Sequence, residues 1–440
     1  MTLSATHDPA LTSWVDSANG HPDFPVQNLP HGVFRQRGSG AAFRGGVAIG
    51  DQVLDVAQAH ALGVFAPAAD SAARAAGAST LNGLMALGRP AWRLLRAELS
   101  RLLRSSAPEA AQLRGCLLPQ AAVEMGLPAT IGDYTDFFTS ENHMTNTARV
   151  FMPDAPPLPH FKWLPIAYHG RASSVEVSGA ECRRPSGQIR ISGQDTPVYA
   201  PCTRLDYEME LGFWVGPGNH RGETIAIDEA EDHLFGVSLL NDWSARDVQR
   251  WEMAPLGPFL AKNFLTSLSP WIVTLEALEP FRCALPRSAD DPPTLSNLQP
   301  QNPLQAYDLQ VEVWLQTARS ATPMRLSRTS FRHGYWSLAQ MLTHHAEGGC
   351  NLRPGDLMGT GTISGPGEGE QGCLLELSRG GQQPVQLANG EQRSFLEDGD
   401  SVVLRGWGET PGAVRIGFGE CRGTVLPASQ LPARGATAAP

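Results

Sequence analysis

Residues 204–216 read RLDYEMELGFWVG, and this alternation constrains the fold more than any other stretch of the chain. Strand side chains point to opposite faces in turn, so Leu205, Tyr207, Met209, Leu211 and Phe213 share one apolar face while Asp206, Glu208 and Glu210 share the other. The apolar face belongs in a core. Carboxylates two positions apart stand roughly 7 Å from one another and repel unless water or a positive group lies between them. An open, solvated face meets that requirement and so does a bound cation; the strand alone leaves both open.

Further runs have the same strand-like texture: GVAIGDQVLDV (46–56), HLFGVSLLND (233–242), PWIVTLEAL (270–278), LQVEVWLQT (309–317), GCLLELS (372–378), DSVVLRGWG (400–408) and AVRIGFGEC (413–421). They come without regular helical alternation, and 45 Gly and 35 Pro favour short strands and turns, so the chain reads as mostly β with some α and largely antiparallel. One clear helix interrupts this. In PAWRLLRAELSRLL (90–103), Trp92, Leu95, Leu99 and Leu102 recur at helical spacing behind Pro90, which predicts an amphipathic helix packed on a small N-terminal domain. A chain of 440 residues is too long for one small core, and LLPQAAVEMGLPATIG (117–132) reads as the passage between two domains, 1–127 and 128–440. Residues 284–304 read as a polar, Pro-rich loop and the tail ARGATAAP as disordered.

A net charge of −10 argues against nucleic acid or an anionic membrane as partner, since both need basic patches. The start, MTLSATHDPALTSWV, shows neither signal peptide nor anchor, and no stretch approaches the ~20 apolar residues of a membrane span. Seven scattered cysteines, odd in number and never spaced as CxxC, fit reduced thiols in a cytoplasm.

Three more stretches place polar groups where a plain core element would not. DYTDFFTSENHMTN (133–146) sets Asp136 and His143 in what reads as a turn-rich loop. In LLNDWSARDVQRWEM (239–253) a buried run ends at Asp242 and a helix begins near Ser244, with Arg246, Gln249 and Met253 on one face; Asp242 also reads as a simple helix cap. In PLGPFLAKNFLTSLSPW (255–271), Lys262 interrupts an apolar run and needs solvent or carboxylates. Brought together, Asp136, Glu208, Glu210 and Asp242 would offer a hard divalent cation an all-oxygen site, which favours Mg²⁺ or Ca²⁺ over zinc.

PDFPVQNLPHGVF (22–34), ATIGDYTDF (129–137), AYHGRASSV (167–175), NDWSARDVQ (241–249), PLGPFLAKNF (255–264) and LRPGDLMGTGTISGP (352–366) resemble the fumarylacetoacetase, or fumarylacetoacetate hydrolase, family, over about residues 12 to 425. The resemblance implies a small N-terminal SH3-like barrel, a large C-terminal mixed β-roll and a cytoplasmic homodimer. The implied activity is hydrolysis of a β-diketo acid, the last step of tyrosine and phenylalanine breakdown. It further implies metal ligands at Asp136, Glu208, Glu210 and Asp242, with Lys262 and Thr266 at an adjoining magnesium position. His143 matches the general base and Glu376 the carboxylate that orients it; Tyr168, Gln249 and Thr362 match substrate contacts, with Arg246 and Lys262 as nearby cations. Asp206 has no part in that scheme and is expected to be solvated or at a strand end. Where the family carries a Tyr, an Arg and a Tyr against the substrate, this chain has Phe138, Met152 and Met253. These losses touch recognition of the substrate's polar ends. Two rival readings follow: an isomerase, decarboxylase or hydratase acting on a related keto acid, and an inactive, metal-stabilised binding protein.

Overall fold

The computed structural model describes residues 3–151 and 158–429; Met152 and the ARGATAAP tail lie outside these residues. Near the N-terminus a five-stranded antiparallel sheet forms, in spatial order Leu117–Pro119, Gln52–Asp55, Arg44–Ile49, His31–Gln36 and Val123–Gly126. The helix Arg89–Leu103 starts with Pro90 in its first turn, where a missing N–H costs nothing. It buries Trp92, Leu95, Leu99 and Leu102, as their spacing predicts, and also Arg96, whose guanidinium donates to the carbonyls of Gln27 and Asn28.

Two sheets build the larger part. The first has eight strands along the order Ile166–His169, Tyr134–Phe138, Leu357–Gly359, Met209–Val215, Leu234–Asp242, Thr266–Leu268 and Val175–Val177, with Val273–Thr274 added beside Leu234–Asp242. Most pairs are antiparallel, but Leu357–Gly359 runs parallel to Tyr134–Phe138, and Thr266–Leu268 parallel to Val175–Val177. The second sheet orders Met324–Ser330, Leu309–Gln316, Ser401–Gly408, Ile416–Leu426 and Glu181–Arg183. Leu205, Tyr207, Met209, Leu211 and Phe213 are all buried and pack with Val311, Val313, Leu404 and Phe418 of the second sheet. The apolar face is core, as its alternation requires.

The opposite face is not open to solvent. Trp214, Leu240, Leu268 and Leu357 on that face pack with Trp92, Leu95 and Leu99, and the Trp92 and Phe235 rings meet edge-on at 5.2 Å. The N-terminal layer thus covers one end of the face, and Glu208 and Glu210 lie toward the other end, also buried.

Two segments depart from their sequence texture. GCLLELS is not a strand: Leu374–Leu377 forms a helical turn, because the N–H groups of Leu374 and Leu375 donate to the Asp206 carboxylate at 2.8 and 2.9 Å. PWIVTLEAL is extended only at Val273–Thr274, after which the Thr274 hydroxyl caps the turn Leu275–Leu278. Among the described residues no helix is long and apolar enough to cross a membrane, and all seven cysteines are free.

Candidate active site

His143 lies on a helix, Glu141–Phe151, rather than in a loop. The cue is Ser140, whose hydroxyl accepts from the His143 N–H at 3.2 Å and ties the first turn. The imidazole Nδ1 stands 2.7 Å from Glu376 Oε2. Asn146, one turn along the same helix, donates to Glu376 Oε1 at 2.9 Å, and Ser364 Oγ and Cys373 Sγ donate to Oε2 at 2.8 and 3.2 Å. Burial pushes the Glu376 carboxyl up, but His143, Asn146 and Ser364 outweigh it and hold it below the usual carboxylate range. An ionised Glu376 can only accept, so Nδ1 carries a proton, and in the neutral ring Nε2 is then the nitrogen with the lone pair. Nε2 sits 3.8 Å from Glu208 Oε1 and His143 lines a cavity of about 270 Å³.

That cavity gathers Asp136, Phe138, Tyr168, Glu208, Glu210, Arg246, Gln249, Met253, Lys262 and Thr362, drawn from strands, helices and loops up to 226 positions apart in sequence, from Asp136 to Thr362. Glu208 bridges two cations, Arg246 Nη1 at 2.6 Å and Lys262 Nζ. Burial raises its carboxyl, yet Lys262 and Arg246 outweigh it and hold it well below the usual range. Lys262 also donates to Asp242 Oδ2 at 2.5 Å, and Tyr168 OH reaches the same oxygen at 3.2 Å. Asp242 is therefore not a helix cap; the helix Arg246–Glu252 has Ala245 at its N-cap, and Asp242 ends its strand paired with Thr266. Gln249 Oε1 accepts from Arg246 at 3.1 Å.

Asp136, Glu210 and Asp242 form a separate cluster, with one oxygen of each lying within 4.8 Å of the others. Glu208, turned to its two cations, is outside this trio. Asp136 Oδ1, Glu210 Oε1 and Asp242 Oδ1 are buried with no donor in reach, although Gly361 N–H supports Glu210 Oε2 at 3.0 Å. Burial, then mutual repulsion, pushes the Asp136 and Glu210 carboxyls well above their usual range. Gly359 makes the room: a Cβ there would lie 2.5 Å from Asp136 Oδ1 and 2.9 Å from Glu210 Oε2. Three converging buried carboxylates, each with an oxygen that no donor meets, fit a hard divalent cation.

Asp206 ends the short strand Leu205–Asp206, as one expectation had it, but it is fully buried rather than solvated. Arg246 Nε donates to it at 2.9 Å, and it caps the turn that carries Glu376. Reading the sequence alone missed this role, and also Asn146, which a helical reading of 141–151 would have set beside His143. It missed the apolar liners Phe151, Leu158, Ile166, Leu256 and Pro258 as well. Phe138 sets its ring edge-on to His143 at 5.4 Å, and Thr362, which also lines the cavity, has a buried Oγ1 without a partner.

Two family profiles match this chain: Fumarylacetoacetase N-terminal over residues 27–128 and Fumarylacetoacetate (FAA) hydrolase C-terminal over residues 134–426. The fumarylacetoacetase of Oryza sativa subsp. japonica is 46% identical over 425 residues, covering 95% of this chain and 98% of its own. That of Homo sapiens is 46% identical over 411 residues, covering 92% and 97%, and that of Arabidopsis thaliana 45% over 423 residues, covering 95% and 99%. With both profiles in order along the chain and likeness to these relatives over nearly the full length of each, the chain belongs to the fumarylacetoacetase family.

Proposed function

We propose that this chain hydrolyses the carbon–carbon bond of fumarylacetoacetate to fumarate and acetoacetate, the last step of tyrosine and phenylalanine breakdown. One observation carries the reading: His143, oriented by Glu376, opens into the same cavity as a buried acidic cluster that fits a divalent cation. The Nε2 lone pair of His143 takes a proton from water as the water oxygen bonds to the carbonyl carbon. The carbon–carbon bond then breaks, its electron pair passing to the departing carbon, and the imidazolium returns the proton there. Arg246 Nη2, buried and without an acceptor, is free to donate to the developing oxyanion, with Gln249 and Lys262 beside it. Asp136, Glu210 and Asp242 would hold Mg²⁺ or Ca²⁺, with Glu208, Lys262 and Thr266 adjoining. Such a cation supplies Lewis acidity toward the oxygens of a 1,3-dicarbonyl and stabilises the negative charge released on cleavage. Neither a serine nor a cysteine nucleophile is needed.

The test follows fumarylacetoacetate consumption before EDTA, after EDTA, and after Mg²⁺ or Ca²⁺ is restored. Loss on chelation and recovery on addition are expected; a folded protein inert under every condition defeats the reading.

A second reading has its own support. Phe138, Phe151, Leu158, Ile166, Met253 and Leu256 give the cavity much apolar lining, which suits a related 1,3-dicarbonyl acid with an apolar acyl tail.

In this proposal residues 1–127 and 128–440 are the two domains, and the chain works as a cytoplasmic homodimer. Free thiols support the compartment. Beside the cavity, Leu256 is 95% and Phe259 67% exposed, with Trp251, Met253 and Leu260 nearby, an apolar patch of the kind a second copy covers. Sedimentation of the purified chain distinguishes dimer from monomer.

A further inference from the structure

Behind the His143 imidazole lies a cluster of a different chemical character from the acidic trio. His143, Cys373 and Glu376, all buried, each bring one ligand atom within 4.8 Å of the others, and Glu376 Oε2 lies 2.7 Å from His143 Nδ1 and 3.2 Å from Cys373 Sγ. Imidazole, thiol and carboxylate are the donor set of a tetrahedral zinc site, whereas Asp136, Glu210 and Asp242 offer only hard oxygens. Zinc–ligand bonds of about 2.0–2.3 Å put neighbouring tetrahedral ligands roughly 3.5 Å apart, so small side-chain rotations suffice to close the three around one ion. The cluster also stands between two cavities. His143 lines the cavity described above, and Glu376 lines a polar surface groove of about 910 Å³ on its other side, with Asn146, Gln371 and Gln382.

We propose that His143, Cys373 and Glu376 form an inhibitory site for a thiophilic divalent ion, of the class of Zn²⁺ and Cd²⁺, distinct from the site for the hard cation. Capture replaces the hydrogen bonds within the cluster by metal–ligand bonds. The Cys373 thiol gives up its proton to solvent as the sulfur–metal bond forms, and the imidazole proton moves from Nδ1 to Nε2 by exchange with water. Burial and the neighbouring Glu376 and Asp206 carboxylates keep that thiol protonated in the free protein, so one proton leaves for each ion bound. With its proton on Nε2 and its Nδ1 on the metal, His143 can no longer accept a proton from water. The inhibitory consequence rests on the reading of His143 as the base; the binding itself does not.

The experiment separates the two. Cd²⁺ is titrated into the folded, Mg²⁺-saturated protein, and the thiolate-to-cadmium absorption band is recorded alongside turnover in the presence of Cd²⁺ or Zn²⁺. The wild-type chain should develop the band at one ion per chain and lose turnover in step, with recovery on chelation and return of Mg²⁺. Cys373→Ser and Cys373→Ala, both small changes whose melting temperatures confirm folding, should lose the band and weaken inhibition by about tenfold or more. Cys350→Ser, which alters an exposed thiol 3.3 Å from His345 Nδ1, should change neither and serves as the control. A band that survives in both Cys373 variants, or inhibition of equal strength in wild type and variants, overturns the site. A band lost in the Cys373 variants but unaccompanied by inhibition in the wild type keeps the ion site and overturns the role of His143.

Discussion

His143 Nδ1 and Glu376 Oε2 lie 2.7 Å apart, although 233 positions separate the two residues in the chain. The carboxylate selects, for the neutral ring, the tautomer with its proton on Nδ1 and its lone pair on Nε2. Replacing His143 with Gln should lower kcat by about two to four orders of magnitude with KM little changed. Glu376→Gln keeps an acceptor but loses the charge, and its loss of kcat should be smaller. Steady-state kinetics check both; near-normal turnover in His143→Gln would mean that water is activated elsewhere.

Chelation should lower the melting temperature, because Asp136, Glu210 and Asp242 then face one another with no charge between them. Asp242→Ala should abolish activity and flatten the dependence of melting on Mg²⁺ or Ca²⁺. Gly359→Ala tests the space itself: its Cβ would press on Asp136 Oδ1 and Glu210 Oε2, so calorimetry should show weaker ion binding while the fold is retained. Unchanged affinity in Gly359→Ala would place the ion elsewhere.

Asp206 links two parts of the site, accepting from Arg246 Nε and from the turn that carries Glu376. Asp206→Ala leaves a buried guanidinium and two N–H groups without that acceptor and should cost about 3–5 kcal/mol of stability by denaturant titration. Asp206→Asn should cost less. In both, kcat should fall more than KM rises, because the displaced groups act on the reaction rather than on binding.

Met253 and Phe138 bring apolar surface to the cavity. Each hydroxyl restored by Met253→Tyr and Phe138→Tyr is worth about 0.5–1.5 kcal/mol if it meets a substrate oxygen, so KM for fumarylacetoacetate should fall about two- to tenfold per hydroxyl. KM for an analogue with an apolar tail should stay or rise. If the double variant changes neither value, other groups already hold the acyl end.

His31 joins the N-terminal sheet to the larger part by mutual backbone hydrogen bonds with Ile272, and its ring is buried. Burial, helped by Arg96, lowers its pKa from 6.5 to about 4. The folded state therefore resists protonation that the unfolded chain accepts: stability is complete above pH 6.5 and declines as pH falls from 6.5 toward 4. The loss from this residue is about 3 kcal/mol. Denaturant titrations across that range should show a shallower decline in His31→Gln than in the wild type.

What the sequence determined by itself is what local geometry dictates. The alternation from Leu205 to Phe213 named a core face, and all five apolar residues lie in it, because successive strand side chains diverge whatever surrounds them. The Arg89–Leu103 helix was legible for the same reason, with a repeat of 3.6 residues in place of two. Motifs resembling a known family named the polar residues that line the cavity. Tertiary structure alone decided which of them meet. It covered the Trp214 end of the acidic face with the N-terminal layer, turned Glu208 toward Lys262 and Arg246, and left Asp136, Glu210 and Asp242 to converge beside Gly359. It also made a helical turn of GCLLELS, since the acceptor for that turn's first N–H groups is Asp206, 168 positions earlier. Periodicity is a property of neighbouring residues, but the partner of a buried charge is selected by desolvation and Coulomb attraction among groups that only the folded chain brings within reach.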